Sequence, residues 1–306
     1  MSSHVVVLMG GWSAEREVSL VTGGAVADAL EEAGYRVVRV DVDRGLADVL
    51  EGLEPRPDVV FNALHGRFGE DGCVQGLLEI LGIRYTHSGP LASALAMNKP
   101  MAKQRFQQAG IRCPEGVVLC REELKRGAPI DPPFVIKPTN EGSSVGVRIV
   151  HKGDNRPLWL DGDWPYGEDV LVERYIPGRE ITVAVMGERA LGATEIRPKQ
   201  GFYDYTAKYT EGKAEHLIPA PIHRRAYEEV LELALLAHRT LGCRGVTRAD
   251  LRYDDTEGEP GRFYMLEVNT QPGMTPLSLV PEIAAYAGIG FTELVTWMVE
   301  EARCDG

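Results

Sequence analysis

The chain has 306 residues, of which 44% are hydrophobic and 25% are charged, the usual proportions of a soluble globular protein. This length exceeds what a single hydrophobic core usually serves, so we expect two or three domains. The formal net charge of −12 argues against non-specific nucleic-acid binding, which needs a basic face. A local cluster of lysines and arginines can still bind an anionic ligand.

Membrane association and disulfide bonding are also disfavoured. No apolar run approaches the roughly 18 residues of a transmembrane helix, and residues 1–11 lack the basic start of a secretory signal. The five cysteines are odd in number and form no Cys-x-x-Cys pair, so the sequence predicts neither a disulfide framework nor a zinc site. We therefore expect a cytoplasmic protein with no membrane partner.

The first hundred residues alternate strand and helix patterns. The expected strands and helices cover residues 5–9, 18–33, 37–40, 58–61, 73–81 and 83–86, with Gly34 as the cap of the first helix. This βαβ order predicts a doubly wound parallel-sheet domain, in which ligands bind beyond the carboxyl ends of the strands. The loops 10–15 and 64–72 lie there and carry Glu15 and His65.

The pattern changes after Lys99, where a helix runs to about residue 109 and short strands then dominate. These strands are expected at residues 116–119, 134–137, 145–150, 170–174 and 181–185, with a loop or broken helix over 153–169. The last third contains an amphipathic helix over 227–241, strands at 245–253 and 264–269, and a terminal helix after residue 290. We expect three domains, of residues 1–98, 99–186 and 187–306, with α/β architecture first and α+β architecture in the other two.

Two of the late strands carry groups suited to metal-assisted phosphate chemistry. Glu267 and Asn269 lie two residues apart, so both leave the same face of a strand and can offer oxygen ligands to Mg²⁺. Arg248 and Asp250 share a face of the preceding strand, where a guanidinium fork suits a transferring phosphoryl group. The alternatives are a polar sheet edge and an ordinary structural Arg–Asp pair.

A phosphate-binding part is predicted at residues 137–146. Lys137 ends an apolar strand, and a buried lysine needs an anionic partner. The following loop, EGSSVG at 141–146, exposes backbone N–H groups and two hydroxyls, although a plain hairpin turn is the alternative. The sequence contains neither the Walker A spacing nor the GxGxxG fingerprint.

Two further segments could complete a nucleotide site. Glu173 ends a buried strand, and an apolar turn then leads to Glu180, so the turn could face a purine edge and Glu180 the ribose hydroxyls. Solvated strand-end carboxylates are the alternative. The glycine-marked, aromatic segment 199–209 fits either a mobile lid or a surface loop with incidental tyrosines.

Seven segments resemble, in order and over nearly the whole chain, the D-alanine–D-alanine ligases of the ATP-grasp superfamily. They are GGWSAEREVS at 10–19, LHGRFGEDG at 64–72, MNKP at 97–100, KPTNEGSSVG at 137–146, YDYTAKY at 203–209, EVNTQPGM at 267–274 and the pair SL at 278–279. A single motif of this kind would be weak, whereas seven in the family's order make a chance match very unlikely.

The resemblance implies an ATP-grasp fold that follows an N-terminal doubly wound domain, with ATP between the last two sheets. It implies that ATP phosphorylates the carboxylate of one D-alanine and that the amine of a second D-alanine displaces phosphate, giving a dipeptide for peptidoglycan synthesis. It further implies two Mg²⁺ ions, or Mn²⁺ in their place, and a homodimer formed through the N-terminal domain.

The resemblance also implies a role for each matching residue. The residues implied for ATP are Lys99, Lys137, Ser144, Glu173, Tyr175, Ile176, Glu180, Phe202 and Lys208. The residues implied for the metal ions are Asp250, Glu267 and Asn269. The residues implied for D-alanine and the reacting groups are Glu15, His65, Ser143, Tyr209, Arg248, Gly273, Ser278 and Leu279.

The sequence departs from the family pattern at two places and leaves alternative functions open. Thr247 stands where the family is expected to carry a glycine, serine or aromatic residue, and residues 153–169 are less helical than expected.

A D-alanine–D-lactate ligase usually differs at Tyr209. Another carboxylate–amine ligase is disfavoured by the regions around Glu15 and Ser278. A non-catalytic nucleotide-binding protein would not need the full phosphate and metal set. The base that deprotonates the second amine is open, and His65 is one candidate.

Overall fold

The computed structural model describes residues 3–43, 45–142, 145–154, 158, 166–199, 214–276 and 278–306. The strands are β1 (His4–Gly10), β2 (Arg36–Val42), β3 (Val59–Asn62), β4 (Arg84–Tyr85), β5 (Gly116–Cys120), β6 (Phe134–Pro138), β7 (Arg148–Val150), β8 (Asp169–Arg174), β9 (Arg179–Met186), β10 (Arg189–Pro198), β11 (Ala214–Leu217), β12 (Val246–Asp254) and β13 (Arg262–Asn269). The helices are α1 (Arg16–Glu32), α2 (Leu46–Gly52), α3 (Cys73–Leu81), α4 (Pro90–Met97), α5 (Lys99–Gln108), α6 (Arg121–Arg126), α7 (Arg224–Thr240), α8 (Leu279–Tyr286) and α9 (Phe291–Glu300).

The first sheet is parallel and has the order β2-β1-β3-β4. Its central strand β1 is buried on both faces, which explains the continuous apolar run over residues 5–9. The terminal helix α9 returns to pack on α1, so that Val295 and Met298 share a core with Val26 and Leu30. The predicted βαβ arrangement is confirmed, and Gly34 follows the first helix at φ +89°.

The second sheet is antiparallel and has the order β5-β8-β6-β7. Its core is small and contains Phe134, Ile136, Val170 and Val172, with Leu124 of α6 packed against them. The four strands match the predicted short strands between residues 116 and 174. A sheet of this size buries one apolar face and leaves the other face available to a ligand.

The third sheet is antiparallel and has the order β11-β10-β9-β12-β13. The helix α7 covers one face with a stripe that includes Val230 and Ala234, as its periodicity predicts. The strand β9, which the sequence groups with the central strands, pairs instead with β10 and β12. The turn after β8 carries the chain from the second sheet to the third. The apolar pattern of β9 predicts a strand but does not show which strands it pairs with.

The described helices are short relative to a bilayer. The longest, α1 and α7, have 17 residues each. Within the part of the chain that the structure describes, no helix combines the length and the apolar content that crossing a membrane requires.

Candidate active site

A crevice separates the second and third sheets. Strands β6, β7 and β8 and the turn after β8 form one wall, and β9, β12 and β13 form the other. Apolar side chains from both walls give part of the crevice a surface suited to a flat ring. The predicted site residues that line it are Lys99, Lys137, Glu173, Tyr175, Ile176, Glu180, Asp250 and Glu267.

The carboxylates on β12 and β13 lie side by side. Asp250 is paired directly with Glu267 in the antiparallel register, and Arg248 is paired with Asn269. The Asp250 carboxylate accepts hydrogen bonds from Arg248 Nη2 at 2.9 Å and from Asn269 Nδ2 at 3.0 Å. Thr182 of β9 donates a third bond from its Oγ1 at 2.7 Å. Sequence reasoning missed Thr182, because only the unexpected pairing of β9 with β12 brings it there.

This donor set fits a divalent cation of the magnesium type. Two carboxylates and one side-chain amide supply only oxygen ligands, the preference of Mg²⁺, which completes its shell with water and substrate phosphates. Among the described residues, no group of three or more His, Cys, Asp or Glu side chains could hold a metal ion by itself. The arrangement therefore suits a metal that arrives with an anionic ligand rather than a closed structural site.

The surroundings of Thr247 explain its departure from the residue types expected at this position. Its side chain is fully buried on the opposite face of β12 from Arg248, and its Oγ1 lies 2.8 Å from His238 Nδ1 of α7. The residue before Arg248 is therefore held by the helix behind the sheet. Burial lowers the pKa of His238 to about 4, so this imidazole is neutral at neutral pH.

Lys99 connects β13 to the loop after β6. Its Nζ lies 3.3 Å from Glu267 Oε2 and donates a hydrogen bond to the backbone carbonyl of Glu141. Its own backbone N–H donates to the carbonyl of Thr139 at 3.0 Å. The ammonium group thus lies between the loop after β6 and the carboxylate of Glu267, where it can pair with an anion in the crevice.

Lys137 is buried at the end of β6, as its position in the sequence predicts, and its anionic partner in this structure is Glu173 of β8. Lys103 of α5 forms a second ion pair with the same carboxylate, with 2.7 Å between its Nζ and Glu173 Oε2. Burial acts to raise the pKa of Glu173, but the two lysines outweigh that effect and hold the pKa below its usual range. Sequence reasoning missed Lys103, because the helical pattern gives no sign of its partner.

The turn after β8 is fixed at the far end of the crevice. Tyr175 donates its backbone N–H to Pro133 O at 3.1 Å, and Arg252 Nε donates to Ile176 O at 3.1 Å. Arg252 also lies 3.7 Å from Glu180 Oε2. The turn and Glu180 are therefore held together, while their contact with a purine and its ribose remains a prediction.

The loops of the first sheet bring Glu15 and His65 to the neighbouring region. Ser13 links them, because its Oγ donates to His65 O at 2.7 Å and accepts from the Glu15 backbone N–H at 3.1 Å. A Cβ atom at Gly66 would lie 3.0 Å from Glu15 Oε2, so the missing side chain leaves room for that carboxylate. Burial lowers the pKa of His65, so its ring is neutral at neutral pH.

Glu70 is a further carboxyl group at this position that sequence reasoning did not single out. Loss of solvent and the neighbouring charge of Glu15 raise the pKa of Glu70 to about 8. A small cavity is lined by Glu70 together with Lys99, Glu267 and Asn269. The two loops of the first sheet therefore open onto β13. The signal was present in the motif HGRFGEDG, but its acidic residues could not be ranked without their surroundings.

The segment after β13 is tied to the first sheet and to α8. Gln271 accepts a hydrogen bond from Asn62 Nδ2 at 2.8 Å and donates to the Leu64 carbonyl. A Cβ atom at Gly273 would lie 2.9 Å from Ser278 Oγ, so glycine permits this close approach. The Leu279 side chain is buried against Ile196, and any contact with a ligand would use its backbone at the start of α8.

Five predicted site residues lie outside the described residues, and their placement stays a prediction. They are Ser143, Ser144, Phe202, Lys208 and Tyr209. Much of the predicted loop at 153–169 also lies outside the described residues.

Comparisons with known proteins agree with this geometry. The family model described as the D-ala D-ala ligase C-terminus matches residues 106–300, and the corresponding N-terminus model matches residues 47–88. D-alanine–D-alanine ligases from Paramagnetospirillum magneticum and Parvibaculum lavamentivorans are 62% and 59% identical, over 100% and 99% of both chains. The crystal structure of D-alanine–D-alanine ligase from Bacillus anthracis complexed with ATP has a TM-score of 0.79 at 32% identity, covering 98% of this chain and 96% of that one. The chain belongs to the D-alanine–D-alanine ligase family, and its fold is the ATP-grasp fold of that family.

Proposed function

We propose that the crevice between the second and third sheets binds ATP and that the adjoining cavity binds D-alanine. The chain is an ADP-forming ligase, and its family makes D-alanyl-D-alanine for peptidoglycan. The observation that carries the assignment of the site is the cavity shared by Glu70, Lys99, Glu267 and Asn269. It joins the loops that carry Glu15 and His65 to the strand that carries the proposed metal ligands.

The reaction proceeds through two displacements. A carboxylate oxygen of the first D-alanine attacks the γ-phosphorus of ATP, the bond to the bridging oxygen breaks, and ADP leaves. The unprotonated amine of the second D-alanine then attacks the acyl carbon, phosphate leaves with the electrons of the acyl C–O bond, and the attacking nitrogen releases one proton to solvent or to the departing phosphate. Both steps bring anions together or separate them, so positioning and positive charge are the main requirements of the site.

The phosphate end of the nucleotide is assigned to the cations around the crevice. Lys99 and Lys137 hold the phosphates, and Arg248 lies beside Asp250 where it can steady the transferring group. We also assign Ser144 and Lys208 to the phosphates. Asp250, Glu267 and Asn269 would hold two Mg²⁺ ions, or Mn²⁺ in their place, which neutralise the charge that develops on the phosphoryl oxygens.

The nucleoside end is assigned to the turn after β8. Ile176 and the apolar side chains of the crevice face the purine, and Glu173 and Tyr175 line the same region. Glu180 meets the ribose hydroxyls, and Phe202 packs beside the ring.

The amino acids are assigned to the loops of the first sheet and to the segment before α8. Glu15 binds the ammonium group of the first D-alanine, with His65 nearby, and Ser143 and Tyr209 connect it to the phosphate loop and lid. Gly273, Ser278 and Leu279 seat the second D-alanine. Support comes from the tie between Gln271 and Asn62, which holds the segment carrying Gly273 against the first sheet.

We further propose the division into residues 1–98, 99–186 and 187–306, in which β9, at the end of the second range, pairs with strands of the third range. We also propose that the protein forms a homodimer through the first domain, lies in the cytoplasm and has no nucleic-acid partner. The net charge of −12 supports the last point, because a basic face is needed for non-specific nucleic-acid binding. Sedimentation of the purified protein would test the dimer, and a monomer at micromolar concentration would contradict it.

The test of the function is a coupled assay on purified protein. With ATP, Mg²⁺ and D-alanine, we expect one phosphate released for each D-alanyl-D-alanine detected by mass spectrometry. L-Alanine, D-serine and D-lactate are run in parallel to define the substrate. ATP binding without phosphate release would contradict the ligase assignment, and a product from another amino acid alone would retain the fold and replace the substrate.

A further inference from the structure

The buried carboxylate of Glu173 lies between two buried lysines. Lys103 contacts Oε2 at 2.7 Å and Lys137 contacts Oε1, and the three residues are 2%, 6% and 7% exposed for Glu173, Lys103 and Lys137. One carboxylate therefore faces two amino groups in a region with little water, where burial lowers the pKa of Lys103 and the charge of Glu173 opposes that shift. Buried charges are retained in proteins mainly when they are paired.

The two lysines differ in their access to the crevice. Lys137 and Glu173 belong to the described residues that line it, whereas Lys103 is not among them. Lys103 comes from α5, which packs against β13 behind the crevice. The carboxylate thus lies between Lys137, which lines the crevice, and Lys103, which is not among the described residues that line it.

Occupation of the crevice by a phosphate changes what each lysine must neutralise. An incoming phosphate competes with Glu173 for Lys137, because both are anions within reach of the same ammonium group. If Lys137 turns toward the phosphate, Glu173 remains buried and still requires a cation. A buried carboxylate that loses its last partner is strongly destabilising. Lys103 is placed to remain as that partner.

We propose that Lys103 is a positioning residue for nucleotide binding, which keeps Glu173 neutralised so that Lys137 is free to bind the phosphates. The inference rests on the proposed binding of ATP in this crevice. Lys103 touches neither the nucleotide nor the reacting atoms, and its contribution depends on the charge of Glu173. The role therefore concerns phosphate-bearing ligands and not the nucleoside alone.

The first test measures the affinity of Lys103→Met for ATP, ADP and adenosine by calorimetry. Without Lys103, Lys137 becomes the sole cation on Glu173, so we expect the Kd for ATP to rise about tenfold or more. Adenosine carries no phosphate and makes no demand on Lys137, so its Kd should change less than about twofold. A loss of adenosine affinity as large as the loss of ATP affinity would assign Lys103 a merely structural role and overturn the proposal.

A second variant tests the charge coupling. In Lys103→Met/Glu173→Gln the neutral amide no longer captures Lys137, so the ratio of ATP affinity to adenosine affinity should return toward that of the wild type. Failure of the second substitution to restore this ratio would overturn the proposal. Lys125→Met is the matched control, because Lys125 is exposed and pairs with Glu122 at 2.9 Å on the surface.

Two measurements separate this inference from the proposed function. Lys137→Met should weaken ATP binding, and an unchanged affinity would contradict the ATP site itself. If Lys137→Met weakens ATP binding and Lys103→Met does not, only the role of Lys103 is overturned. A nucleotide complex of the unaltered protein gives a result independent of variant folding: we expect Lys137 Nζ on a phosphate oxygen and Lys103 Nζ still on Glu173, and Lys137 retained on Glu173 away from the phosphates would overturn the proposal.

Discussion

Asp250 on β12 and Glu267 on β13 are direct partners in the antiparallel register, so their side chains leave neighbouring strands at the same level of the sheet. Asp250 is held by Arg248, Thr182 and Asn269, whereas Glu267 is paired with the ammonium group of Lys99. The two carboxylates are thus fixed by different partners and can approach one ligand from two sides. This relationship supports the assignment of both to the metal ions that accompany ATP.

Glu267→Gln should lower kcat by about a hundredfold or more with little change in thermal stability, because the carboxylate supplies charge at the surface of the crevice. Phosphate release measured against Mg²⁺ concentration checks this. Glu257→Gln is the control, since Glu257 is exposed on the turn of the same β-hairpin. A Glu267→Gln enzyme with unchanged kcat and the same Mg²⁺ dependence would refute the metal assignment.

The loops that carry Glu15 and His65 are also joined by an aromatic pair. Trp12 and Phe68 contact edge to face, with 5.6 Å between ring centroids and 84° between planes. Phe68 has φ +66°, a conformation that costs a bulky residue energy and so requires support from its surroundings. The pair gives that support and joins the two loops.

A double-mutant cycle on this pair should reveal coupling of about 0.5–1.5 kcal/mol in the free energy of unfolding. Trp12→Ala and Phe68→Ala should each raise the KM for D-alanine more than the KM for ATP, whereas Trp12→Phe should restore much of the loss. Denaturant unfolding and initial-rate kinetics provide the measurements. Additive stabilities with equal changes in both KM values would show that the contact does not position the loops.

The raised pKa of Glu70 predicts how the stability of the ligand-free protein depends on pH. The carboxyl group keeps its proton to about pH 8 when folded but loses it near pH 4.5 when unfolded, so the folded state binds more protons between these values. The contribution of Glu70 to stability is therefore complete below pH 4.5 and is lost as the pH rises toward 8.

Glu70→Gln removes this proton-linked change. Relative to the wild type, the variant should gain thermal stability as the pH rises from 5 to about 8. Thermal unfolding across this range checks the prediction, with Glu257→Gln as the control for the loss of one carboxylate. Parallel curves for Glu70→Gln and the wild type would show that Glu70 ionises normally.

The C-terminal segment is bound to the first sheet through Arg244. This buried guanidinium lies 4.7 Å above the Tyr85 ring, pairs with Asp305 at 3.0 Å and donates to Arg303 O at 2.6 Å. Arg244→Met should destabilise the protein by about 2–4 kcal/mol, because it leaves buried carbonyl groups without their donor.

Denaturant unfolding of Arg244→Met and Arg239→Met measures this contribution. Arg239 is exposed and pairs with Glu188 on the surface, so its replacement should change stability by less than about 0.5 kcal/mol. Equal changes in the free energy of unfolding for the two substitutions would contradict the structural role assigned to Arg244.

Much of the site was readable from local patterns. Alternation along a strand placed Glu267 and Asn269 on one face, and the strand-terminal position of Lys137 predicted a buried cation with an anionic partner. Proline and glycine signals would also have revealed α4, which begins at Pro90 directly after Gly89. The short helix α6 gave no periodic signal, since it buries only Leu124.

The residues that sequence reasoning missed owe their position to pairing between distant segments. Thr182 reaches Asp250 only because β9 joins the third sheet, and Lys103 of α5 meets Glu173 only because α5 packs against β13. The raised pKa of Glu70 depends on Glu15 and on burial between two loops. Long-range contacts of this kind leave no mark on local periodicity, so a single sequence could not place them.

The most direct test of the central claim is a crystal structure of the protein with Mg²⁺ and a non-hydrolysable ATP analogue. We expect the triphosphate between Lys99 and Lys137, with the metal on Asp250, Glu267 and Asn269 and the purine against Ile176. A nucleotide bound anywhere outside the crevice between the second and third sheets would contradict the account.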